Sequence, residues 1–159
     1  MNNVTINQQA RLSQHFTLGE LCKTSAKTAD GNIPSHVHIE NLKRLCGWLE
    51  MLRKAWNQRY GEGDEPIVIN SGYRSEAVNK AVGGVKGSNH LTGCAVDIRV
   101  SGLEQALRYA VILLDISDES QEAFDELLLE RGPRGNYWLH FAVRPPSQEN
   151  RRRIRMIQA

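Results

Sequence analysis

One stretch limits what this chain can become more than any other, and it runs from Ser71 to Asp97. It reads Ser71-Gly72-Tyr73-Arg74-Ser75, then a polar, glycine-rich passage, then Ser88-Asn89-His90-Leu91-Thr92-Gly93-Cys94-Ala95-Val96-Asp97. Gly93 lacks a Cβ, so the backbone can turn there with positive φ and carry His90 back toward Asp97. The run from Ala95 to Val100 has the character of a strand. A second histidine, His140, stands in Tyr137-Trp138-Leu139-His140-Phe141-Ala142-Val143. That segment alternates, with Trp138, His140 and Ala142 on one face. Imidazole and carboxylate are good zinc ligands, and a catalytic zinc takes three protein ligands and keeps one position open. The expected ligand set is therefore His90, Asp97 and His140, around one Zn2+ per chain.

The pattern Ser-x-His-x-x-Gly-x-Ala-x-Asp, with Ser-Gly-Tyr-Arg-Ser upstream and Trp-x-His downstream, resembles the zinc D-alanyl-D-alanine carboxypeptidases, the M15 peptidases. Three motifs stand in the family's order and span roughly Phe16 to Arg153. The likeness is greatest to the short, single-domain members found in phages and prophages. It implies the fold shared with the amino-terminal domain of hedgehog proteins, and a zinc peptidase acting on peptidoglycan stem peptides as a carboxypeptidase or endopeptidase. The rival reading is a catalytically silent, zinc-containing module that binds cell wall, since the hedgehog relatives keep the metal without known hydrolysis. A metal-dependent hydrolase of a non-peptide amide is a third.

The resemblance also implies roles for neighbouring residues. Hydrolysis needs a base that takes a proton from water and returns it to the leaving amine. In some branches the acid lies three residues before the last histidine, where this chain has Tyr137. Others carry a histidine two residues before it, where this chain has Trp138. Glu130 is the expected base, because it ends the strand expected to pair with the His140 strand. Glu126 is the reserve on the same face, and Asp125 lies on the other. Arg74, just past a strand end, matches the arginine that binds the substrate carbonyl or the oxyanion. Ser88 matches a serine lining the substrate cleft. Tyr73 is expected to pack rather than react.

Composition narrows the alternatives. The chain has 159 residues, 40% of them hydrophobic, which suits one domain with a modest core. No run approaches the ~20 apolar residues of a membrane-spanning helix. A net charge of +2 gives no nucleic-acid signal, and a monomer is expected. The first residues lack a basic segment followed by an apolar one, so no secretory signal is read. Cytoplasmic accumulation, or release by phage lysis or carriage in a virion, is the expectation. Cys22, Cys46 and Cys94 include no Cys-x-x-Cys pair and are expected to be buried small hydrophobes.

The elements expected in order give an α+β protein: a small mixed or antiparallel sheet with helices packed on it. Residues 1–15 are polar and expected to be mobile, 16–153 form the single zinc peptidase-like domain, and 154–159 are a basic carboxy-terminal tail. Thr17 and Glu20 form a capping box for a short helix to about Cys22. Ser35 caps a long helix whose Leu42, Leu45, Leu49, Leu52 and Trp56 form a core stripe. Strands are expected over Pro66–Ser71, Cys94–Val100, Ala123–Glu130 and around His140. Further helices are expected over Glu76–Val82 and from Ser101 onward. His15, His36 and His38 fall outside every motif and read as surface or loop residues. The charge run from Asn150 to Arg155 reads as a solvated end, with attraction to anionic wall polymer as the functional alternative.

Overall fold

The computed structural model describes residues 5–158. Among the described residues, four α-helices and five strands follow in order: α1 (Leu18–Leu21), α2 (His36–Arg59), β1 (Ile69–Ser71), α3 (Glu76–Ala81), β2 (Ala95–Arg99), α4 (Leu103–Ser120), β3 (Glu126–Arg131), β4 (Tyr137–Ala142) and β5 (Arg153–Gln158). A 3-10 turn, Asn89–Thr92, precedes β2. The sheet order is β1-β2-β4-β3-β5. Every pair is antiparallel except β3 and β5, which run parallel, so the sheet is mixed and the fold is α+β.

The expected Thr17–Glu20 capping box forms, and Ser35, expected as a cap, forms a second. The Thr17 hydroxyl accepts from the Glu20 N–H, and Ser35 does the same for His38, whose ring accepts in return from the Ser35 N–H. His36 and His38 therefore belong to the first turn of a helix, and His38 stacks on the Tyr73 ring at 4.8 Å. His15 lies in a loop, as expected, where its ring pairs with Glu50. In α2 the stripe Leu42, Leu45, Leu49, Leu52 and Trp56 is buried, as its helical spacing requires. It meets Val96, Ile98, Leu139, Phe141, Leu127 and Leu129, which alternate onto the helix-facing side of the sheet. Helix α2 thus takes one face of the sheet, while α3 stands with the loops beside the candidate site, where Asn79 accepts from Arg74.

Several bounds differ from the sequence expectation. The strand expected from Pro66 forms only over Ile69–Ser71, where partners exist in β2. The helix expected from Ser101 starts at Leu103, because Ser101 turns its N–H to the Gln105 side chain and Gly102 is the uncapped first residue. The segment expected as a basic tail forms β5, since the unpaired edge of β3 offers a full ladder from Glu126 to Arg131. Ala159 of that tail lies outside the described residues, as do residues 1–4 of the segment expected to be mobile. Within residues 5–15 of that segment, Ile6, Ala10 and Leu12 pack against the core, and the Gly19 N–H donates to the Gln8 carbonyl. The three cysteines are buried and free, and burial pushes the thiols of Cys22 and Cys46 up to about 12, so neither is a thiolate nucleophile.

Candidate metal centre

The β2–β4 register sets Asp97 directly opposite His140. Cα partners in a ladder present their side chains to the same face, so these two groups meet over the side of the sheet away from α2. His90 arrives from the 3-10 turn. Gly93 closes that turn in the left-handed region at φ 74°, and a Cβ there would meet the His38 carbonyl oxygen at 2.6 Å. Only glycine fits such a position without displacing α2. Gly72 is constrained in the same way, its missing Cβ facing the Leu21 carbonyl oxygen at 2.2 Å. The Gly72 carbonyl in turn holds the His90 ring at Nδ1, 2.7 Å away, and the Arg74 N–H donates to the His90 carbonyl. The Ser-Gly-Tyr-Arg-Ser segment is thus the frame in which His90 is mounted.

Donor atoms of His90, Asp97 and His140 lie within 4.8 Å of one another. Asp97 Oδ1 is 3.3 Å from His90 Nε2 and 3.0 Å from His140 Nδ1. Ligands bound about 2.0–2.1 Å from a tetrahedral zinc stand roughly 3.3 Å apart, so the donor set fits this ion. The far nitrogen of each ring is already occupied, His90 Nδ1 by the Gly72 carbonyl and His140 Nε2 by Glu126 Oε1 at 3.3 Å. A neutral imidazole that donates from one nitrogen leaves a lone pair on the other. In those tautomers both lone pairs would converge beside Asp97 Oδ1, as a metal site needs, whereas with no cation between them the His140 ring can donate to Asp97 and Glu126 together. The Arg74 guanidinium completes the arrangement, donating to Asp97 Oδ2 at 3.1 Å, to Ser71 Oγ at 2.9 Å and toward Asn79 Oδ1 at 3.4 Å.

The electrostatics follow from these contacts. Burial opposes the Asp97 charge, but His90 and His140 outweigh it and hold the carboxyl well below its ordinary range. Burial likewise opposes the His140 charge, while hydrogen bonds to Asp97 and Glu126 raise the ring to about 9. Glu126 is lowered, first by its bond to His140. Glu130 shifts the other way, raised by burial and then by the Asp97 charge. The Glu130 carboxylate is held by the Trp138 indole N–H, its cross-strand partner. Two glutamates four residues apart on one strand face therefore occupy opposite electrostatic environments. Ser88 turns its hydroxyl back to accept from the His90 N–H at 3.2 Å. Asp125, expected on the other face, instead precedes β3 and shares the Asn89 side-chain amide with Glu126, fully buried.

A profile of the Peptidase M15 family matches residues 14–117. The chain belongs to this family. Arg74, Ser88, His90 and Asp97 of this M15 member lie inside the matched stretch, whereas Glu126, Glu130 and His140 lie beyond it. Among curated proteins, the zinc D-Ala-D-Ala carboxypeptidase of Streptomyces albus G is 31% identical over 84 residues, which is 53% of this chain and 31% of that relative. The chain thus spans less than a third of the relative it matches.

Sequence reasoning passed over the residues that support the ligands. Asn89 Nδ2 donates to Asp125 Oδ2 at 2.8 Å and to Glu126 Oε1 at 2.7 Å. Asp125 also takes the Arg151 guanidinium at 2.7 Å and Arg144 at 3.3 Å. Asn89 adjoins His90 in the motif, and that adjacency was the available signal. The arginines carry no local signature, because their partner lies about twenty or more residues away in sequence.

Proposed function

We propose that this M15 protein is a zinc metallopeptidase that hydrolyses peptide bonds in peptidoglycan stem peptides. The observation that carries this reading is the convergence of His90 Nε2, Asp97 Oδ1 and His140 Nδ1, each ring's remote nitrogen being held by a separate acceptor. The resemblance to a zinc D-Ala-D-Ala carboxypeptidase supports the metal and the substrate class. A zinc ion in this donor set supplies Lewis acidity toward a peptide carbonyl and toward water.

The remaining roles belong to the chain. Glu130 takes the proton of the attacking water and passes it to the leaving amine. Burial raises its pKa, the direction that favours taking up a proton. Trp138 fixes the carboxylate by donating to it, so the residue standing where some relatives carry a histidine supports the base. Glu126 holds the His140 ring in the tautomer that presents Nδ1, and so serves as a positioning group, not the reserve base. Arg74 keeps Asp97 Oδ2 turned away from the metal position. A guanidinium has five N–H donors, and those left over from its three partners can meet the oxyanion formed on attack. Ser88 fixes the turn that carries His90, and its hydroxyl hydrogen is available to a substrate carbonyl.

The test is incubation of zinc-loaded protein with purified peptidoglycan, followed by chromatography and mass spectrometry of the muropeptides. New free amino groups, lost on chelation and restored by zinc, are expected. Unchanged muropeptides together with retention on sacculi would replace the peptidase by a binding module.

A further inference from the structure

The basic run near the carboxy terminus is the one sequence feature that this mechanism leaves unused, and the structure sorts its arginines. Arg151 is bound to Asp125, Arg152 to Asp118 at 3.1 Å, and Arg153 reaches Glu126 Oε2 at 3.4 Å. Arg155 is exposed and has no acidic partner among the described residues. The parallel register of β5 on β3 pairs Arg155 with Leu128, and Leu128 is paired in turn with His140. A single row thus crosses the open face of the sheet from Asp97 through His140 and Leu128 to Arg155. The adjoining row ends on Arg153 and the next on Ile157. Leu128, between them in this row, is only 5% exposed although it lies outside the helix-side core, so it is packed beneath the side chains around it and a peptide crossing the face would run over those.

Strands are about 4.8 Å apart, which places the His140 and Arg155 backbones roughly 10 Å from each other. An extended peptide rises about 3.3 Å per residue, so a chain crossing the sheet from the metal centre meets Arg155 two or three residues from the cleaved bond. We propose that Arg155, with Arg153 beside it, forms a subsite for a carboxylate of the substrate two or three residues from the cleaved bond. The inference rests on the peptidase reading for its substrate class. A planar guanidinium whose donors have no partner among the described residues is suited to a carboxylate and gains less from a neutral amide of the same shape.

The experiment uses two synthetic stem peptides that differ only in whether their side carboxyls are free or amidated. Hydrolysis and calorimetric binding are measured with zinc-loaded wild type, Arg155→Ala, Arg155→Lys and Arg155→Glu. Wild type is expected to favour the free-acid peptide by about tenfold in kcat/KM and in affinity. That preference should shrink as salt rises. Arg155→Ala should lose it, Arg155→Lys should keep part of it, and Arg155→Glu should reverse it. Arg155 is exposed and has no acidic partner among the described residues, so these variants are expected to fold, as circular dichroism would verify. Hydrolysis with equal preference in wild type and Arg155→Ala overturns the subsite and leaves the peptidase standing. Binding that depends on both the carboxylate and Arg155, without hydrolysis, upholds the subsite and overturns the peptidase. Absence of binding to either peptide overturns both.

Discussion

Replacing Glu126 by alanine separates the two glutamates of β3. Its Oε1 accepts from His140 Nε2 at 3.3 Å and from Asn89 at 2.7 Å, and the side chain is 13% exposed. The substitution removes the acceptor that selects the His140 tautomer, and the ring becomes free to rotate. Asn89 keeps its bond to Asp125, so no buried amide is stranded and the effect stays local. Removal of such an outer partner costs about 10–100-fold in metal affinity, or roughly 1.4–2.7 kcal/mol. Glu126→Gln retains a neutral acceptor, and neutral hydrogen bonds are worth about half as much as charged ones, so its loss should stay near tenfold or below. The assay is competition for zinc against a chromogenic chelator of known affinity. At saturating zinc, Glu126→Ala should keep turnover within about tenfold of wild type, because Glu130 remains in place. Unchanged zinc affinity in this variant would refute the orienting role. Turnover that collapses at full zinc occupancy would return the proton-carrying role to Glu126.

The other outcomes can be stated together. Glu130→Gln should keep zinc affinity near that of wild type while turnover falls on the order of 10²-fold or more, measured by release of free amines. Full activity in that variant would remove Glu130 from the mechanism. His90→Ala should lose zinc by elemental analysis and unfold at a lower temperature, since the ion ties the turn, β2 and β4 together; retained metal would overturn the ligand set. Asp125 tests acid stability. Burial opposes its charge, but Arg151, Asn89 and Arg144 outweigh that and lower it to about 2. A depressed carboxyl contributes stability above its unfolded pKa of about 3.9, and that contribution is lost as pH falls toward 2. Asp125→Asn should therefore cost about 2 kcal/mol at pH 7 and flatten the stability profile between pH 4 and 2, followed by urea denaturation at each pH. An unchanged profile would show that the arginine cluster does not anchor β5.

Much of the site was legible in the chain because its signals are local. Gly93 between His90 and Asp97 marks a left-handed turn, and alternation about His140 marks the face of a strand. The stripe of α2 identifies the helix side of the sheet, because helical spacing alone brings Leu42, Leu45, Leu49 and Leu52 to one face. Glu126 and Glu130 share a face by simple parity, so the sequence narrowed the candidate base to a pair. Parity could not assign their roles. That depends on the β3–β4 register, which sets Glu130 against Trp138 and brings Glu126 to His140.

What the sequence determined by itself is the set of groups available to a metal, along with the turn and strand that carry them, since each depends on residues close together in the chain. What only the tertiary structure decided is how those groups are supported. The basic end became a strand because β3 had an open edge, and its arginines were divided among buried Asp125, Asp118 of α4 and the open face of the sheet. A backbone ladder and a buried charge each need a partner remote in sequence, and folding alone determines which partner that will be.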